Sequence, residues 1–97
     1  MNKLFKKYQE KRRLALNRIY KKDACLLACI GFSRKNDDND SLIGMVNIIY
    51  KFLSGSRNRS DYKLRKFAME KAIIADCDFP YGNIIEKAKS IYDFILN

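Results

Sequence analysis

Nine cations fall in the stretch KLFKKYQEKRRLALNRIYKK: Lys3, Lys6, Lys7, Lys11, Arg12, Arg13, Arg18, Lys21 and Lys22. Glu10 is the only acid among them, so the stretch carries nine minus one, +8, out of +9 for the whole chain. Lys and Arg at this density neutralise phosphates and release condensed counterions, giving affinity with little sequence readout. A second basic group follows at Arg57, Arg59, Lys63, Arg65, Lys66 and Lys71, with Asp61 and Glu70 between them, a net of six minus two, +4. Arg57 and Arg59 flank Asn58, where two guanidinium forks and backbone amides suit a phosphate; a plain basic connector is the other reading.

Catalytic chemistry finds few carriers. The chain has no histidine, which removes the usual neutral-pH base, the commonest metal ligand and every Ser–His or Cys–His pair. The three cysteines, Cys25, Cys29 and Cys77, contain no Cys-x-x-Cys and cannot complete a four-ligand zinc site without histidine. Their odd number argues against a disulfide framework, and they read as reduced core thiols of a cytoplasmic protein. Asp76, Asp78 and Glu86 are the carboxylates available to hold magnesium, but helix capping explains the first two equally well. The acids Asp37, Asp38 and Asp40 fail the EF-hand pattern, because Ser41 and Asn47 stand where Gly and Glu belong. The four glycines are isolated and form no phosphate loop. The expectation is a binding protein with no catalytic residues, cofactor or metal.

The elements that must position these cations are all helical. No alternating period-2 run supports a strand, and 97 residues make one domain, 1–97. At 100° per residue, Leu4, Phe5, Tyr8, Ala15, Leu16 and Ile19 fall within about 120° of one another and predict a core-facing stripe. Lys3, Lys6, Lys7, Lys11, Arg13, Arg18 and Lys21 cover the other side, as a solvated face or as a track for a polyanion. Cations in the first turn oppose the helix dipole, which favours the track. Arg12 points into the apolar stripe, to snorkel, to pair with an acid or to meet a partner.

Leu26 and Ile30 continue the stripe, and Asp23 suggests a break or bend in the helix. Phe32–Asp40 reads as a loop rich in turn formers. Leu42–Leu53 is apolar nearly all round, with Gly44, Asn47 and Lys51 as its polar edge, so it should lie centrally or under a partner. Gly44 offers a site of close approach. After the connector Ser54–Ser60, with Ser60 or Asp61 as the helix start, Tyr62–Asp76 has a core face of Leu64, Phe67, Ala68, Ile74 and Ala75. Its smaller second stripe, Tyr62, Met69 and Ile73, is a candidate partner contact together with Arg12. Cys77–Asn83 breaks the chain at Pro80. Ile84–Leu96 is a clean amphipathic helix.

The resulting expectation is an all-α, compact bundle of four to five helices, with a basic N-terminal helix and a central apolar helix. Its function is expected to be phosphate-backbone binding to nucleic acid through Lys3, Lys6, Lys7, Lys11, Arg13, Arg18, Lys21, Arg57, Arg59, Lys63, Arg65 and Lys66, with Tyr8, Tyr20 and Tyr62 free to stack on bases. The alternative is a small inhibitor, adaptor or immunity-type factor docking on an acidic protein surface. No segment reaches 18 uninterrupted apolar residues, so no membrane span is expected. Peripheral lipid binding is weaker still, since only Leu14 directs a strongly apolar side chain into the basic side.

Overall fold

The structure, a computed structural model, describes residues 3–32, 39–76 and 83–97. Four helices account for nearly all of them: α1 (Lys3–Phe32), α2 (Asn39–Ser54), α3 (Arg59–Ala75) and α4 (Ile84–Leu96). No strand occurs among the described residues. The acids Asp37 and Asp38, and Cys77, Asp78 and Pro80, lie outside them.

α2 returns against α1, bringing Lys21 over the Tyr50 ring. α3 and α4 form an antiparallel pair, tied at one end by Tyr92 to Asp61 and at the other by Lys87 to Asp76. α3 runs alongside α1 in the same sense, because Tyr20 meets Tyr62 and Asp23 meets Lys66. Both α2 and α3 touch all three other helices, while α1 and α4 share no contact among the described residues.

The core is made by one row from each helix. α1 contributes Ala24, Leu27 and Ala28, α2 contributes Met45, Ile49, Phe52 and Leu53, α3 contributes Met69, Ala72 and Ile73, and α4 contributes Ile84 and Ala88. The alanines let helix axes approach while Leu27, Ile49, Leu53, Met69 and Ile73 fill the space between them.

Several expectations fail here. α1 runs unbroken through Asp23, whose carboxylate meets Lys66 Nζ at 3.4 Å and does not cap a new helix. Cys25 and Cys29 are exposed, not core thiols. Gly44 faces open space, with no described atom of another element within 4 Å of where a Cβ would stand. On α2, Ile43 and Ile48 are exposed beside the polar edge. On α3 Met69 and Ile73 of the second stripe are fully buried together with Ala68 of the expected core face, whereas Phe67, Ile74 and Ala75 of that face are exposed. Met69 and Ile73 are therefore core residues and not partner contacts. Tyr62 is half-buried against Tyr20, with ring centroids 4.8 Å apart, and its buried hydroxyl finds no hydrogen-bond partner among the described residues.

A polar joint closes the end where α2 hands over to α3. Asn58 caps α3, its side chain accepting from the Asp61 amide at 2.8 Å. The Asp61 carboxylate accepts from the Arg57 amide at 3.0 Å, from Arg65 Nε at 3.3 Å and from the Tyr92 hydroxyl. Arg65 also donates to the Phe52 carbonyl at 2.9 Å, satisfying a C-terminal carbonyl of α2. Its guanidinium lies over the Phe52 and Tyr92 rings. Gly55 makes room for it, since an added Cβ would stand 3.1 Å from Arg65. The Tyr92 hydrogen bond is the main reason the Asp61 carboxyl is held below the usual carboxylate range, and the same bond raises the Tyr92 phenol.

Two outcomes follow in urea unfolding followed by circular dichroism. Ile73→Ala should cost about 2–5 kcal/mol, Phe67→Ala about 0.5 kcal/mol or less, and Tyr62→Phe nothing. Asp61 has a lowered folded pKa, so its contribution is complete above its unfolded value of about 3.9 and is lost as pH falls through the lower folded value. Asp61→Asn should therefore lower the midpoint at pH 7 and leave a shallower loss of stability as pH falls below about 4 than the parent shows.

Candidate polyanion interface

α1 has 30 residues and α2 has 16, or about 45 Å against about 24 Å at 1.5 Å per residue. With Lys21 level with Tyr50, α2 ends near the level of Asn17. Beyond that point no other described helix runs beside α1, and every residue from Lys3 to Leu16 is exposed. The molecule is accordingly extended and flat, 51 × 36 × 15 Å. Its radius of gyration of 15.1 Å exceeds the ~12.5 Å of a compact chain this size.

The apolar stripe of α1 is therefore not core. Leu4 is 72% exposed, Tyr8 64% and Leu26 63%, and Phe5, Leu16 and Ile19 are also exposed. The residues of α1 that are buried, Ala24, Leu27, Ala28 and Gly31, point about 130° away from that stripe. Continued into the arm, the buried direction reads Tyr20, Asn17, Arg13, Gln9 and Lys6. The inward row turns polar where the bundle stops beneath it.

None of the cations from Lys3 to Lys22 forms an ion pair among the described residues. Lys21 alone among them contacts a ring, that of Tyr50. Lys3, Lys6, Lys7, Lys11, Arg12, Arg13 and Arg18 stand free in solvent on the arm. α1 has no acid in its first turn to offset them.

The second basic group divides. Arg57, Arg59 and Lys63 are exposed and unpaired among the described residues. Arg65 belongs to the polar joint, and Lys66 pairs with Asp23. These two expected contacts are engaged within the fold. The Arg57 amide is also taken, by Asp61, so the turn at Asn58 does not offer it to a phosphate.

The two basic groups are neighbours. Tyr20 lies against Tyr62 and Asp23 against Lys66, which brings the start of α3, with Arg57 and Arg59, to the base of the arm. Tyr20 and Tyr62 stack on each other, and Tyr8 is the open ring of the three candidates.

Two shallow hollows lie on the arm, one lined by Lys6, Gln9, Glu10 and Arg13, the other including Phe5, Tyr8, Arg12 and Leu16. Both open to solvent along the helix surface. No three of the described Cys, Asp and Glu residues gather as metal ligands. No described helix is long and apolar enough to cross a membrane. No family model, curated protein or solved structure matches the chain.

The arrangement separates two kinds of cation, with a stability test for each. Arg65→Gln breaks hydrogen bonds to Asp61 and to the α2 carbonyl and should cost about 1–3 kcal/mol. Lys6→Gln with Lys7→Gln removes charges that oppose the α1 dipole, and its unfolding midpoint should stay equal or rise.

Proposed function

We propose that the protein is a non-catalytic binder of nucleic acid that holds the phosphate backbone with the cationic side of the α1 arm. The supporting observation is the arm itself: Lys3, Lys6, Lys7, Lys11, Arg13 and Arg18 are exposed, without carboxylate partners among the described residues, on a helix that leaves the bundle. A bare helix is about 10–12 Å across, which fits a major groove about 12 Å wide. Arg57, Arg59 and Lys63 extend the same field at the arm's base, and Tyr8 supplies a ring for an unpaired base. Anions near Lys3–Lys7 would also offset the helix dipole that those cations oppose. The exposed thiols Cys25 and Cys29 suit a reducing compartment, so the cytoplasm is part of this reading.

A second reading, an inhibitor or adaptor that docks on an acidic protein, is favoured by one feature: the uncovered apolar side of the arm.

The test is binding to mixed-sequence duplex and single strand across a salt series. Six arm cations on duplex phosphates should give a log–log slope of about −5, and Lys6→Gln with Lys7→Gln should flatten it by about 2. Affinity should vary little with base sequence. Absence of binding to both forms at low salt would end the proposal.

A further inference from the structure

The outward side of α1 has a regular spacing. Phe5, Tyr8, Ala15, Ile19 and Leu26 fall on a single line in which positions recur alternately every three and every four residues. That is the 3.5-residue period of a coiled-coil seam, sustained for three heptads. Two of the seam positions are cations, Arg12 and Lys22. All seven of these residues are exposed, and the line points about 130° away from the residues that α1 buries in its own bundle.

We infer that this ridge is the docking seam for an acidic amphipathic helix of another protein, which sets carboxylates against Arg12 and Lys22. Three observations choose that occupant. First, charge forbids a second copy: either orientation sets +8 against +8, and a parallel pair sets Arg12 on Arg12 and Lys22 on Lys22. Glu10 is the arm's own sole acid before Asp23, and Asp23 is engaged by Lys66.

Second, Arg12 lies in the middle of the ridge and shares its hollow with Phe5, Tyr8 and Leu16, with Gln9 and Arg13 on its far edge. A lipid surface would have to take that guanidinium down among acyl chains or let it snorkel out. A protein helix places a carboxylate there, and a bidentate pair inside an apolar seam fixes register. Third, the flanks Lys11 and Arg18 present cations where acidic flanks of a partner helix would run. Phe5, Tyr8 and Arg12 are also of the residue types that dominate interface energetics. The ridge residues are distinct from the phosphate-binding cations, of which Lys11 and Arg18 border it, and the inference stands whether or not nucleic acid binds.

The experiment titrates the full chain with a synthetic helix of about three heptads, with leucine at the seam, glutamate on both flanks and one seam glutamate set to face Arg12. A control peptide has lysine at that seam position and the same flanks. One-to-one binding is expected, at least about tenfold tighter than the control peptide's. Phe5→Ala with Ile19→Ala should weaken it at least about tenfold while leaving DNA retardation and the thermal midpoint unchanged. Arg12→Leu should erase the preference between the two peptides.

Equal binding of both peptides would overturn the inference, since it would show generic charge attraction. So would full binding by the double alanine variant, or no binding at all. Ridge-dependent binding to vesicles of phosphatidylserine and phosphatidylcholine in place of the peptide would assign the ridge to lipid. Ridge-dependent self-association of the chain would assign it to a second copy; either result rejects the acidic helix.

Discussion

A helix packs only as far as something lies beside it. α1 is nearly twice as long as α2, and α3 starts close to where α2 stops. Packing of the described helices on α1 therefore ends near Asn17, and the arm N-terminal to it must be stable without a helix packed along it. The inward row records this boundary: Gly31, Ala28, Leu27 and Ala24 are buried, Tyr20 is half-buried, and Asn17, Arg13, Gln9 and Lys6 continue the same direction as polar residues. Apolar side chains in that direction would gain nothing from burial, because no surface is there to bury them.

An unpartnered helical segment of this length is marginal in water, since nucleation is costly and tertiary packing normally supplies most helical stability. Here the bundled half of α1 provides the nucleus and the arm propagates from it. The two halves then answer different demands. The C-terminal half is chosen for close approach, with alanine and glycine against α2 and α3. The arm is chosen for what it presents: unpaired cations on one side and an apolar line with two cations on the other.

The polar joint at Asp61 matters to this division. Arg65 caps α2, stacks on Phe52 and Tyr92 and pairs with Asp61, so α2, α3 and α4 are tied at the end from which the arm emerges. Lys66 likewise ties α3 to α1 through Asp23. Two members of the second basic group are thus engaged in ties between helices at the base. Arg57, Arg59 and Lys63 remain outward, and the positive field of the arm continues onto the bundle.

The sequence by itself determined that the chain is helical, where α4 runs, and that its charge is concentrated in the first twenty or so residues. Those properties are local: they rest on propensity, capping and periodicity, which neighbouring residues decide among themselves. It also displayed an apolar stripe on α1 and two stripes on α3, but a stripe states only that one side is apolar. Whether Leu4, Tyr8 and Ile19 meet a core or stand bare depends on how far α2 reaches, a property of another segment. Which α3 stripe is buried depends on the side from which α1 and α4 approach, so Met69 and Ile73 went inward and Phe67 and Ile74 outward. Likewise, identical charges on Arg59 and Arg65 carry no label; only the placement of Asp61 and the Phe52 carbonyl withdrew one and left the other free.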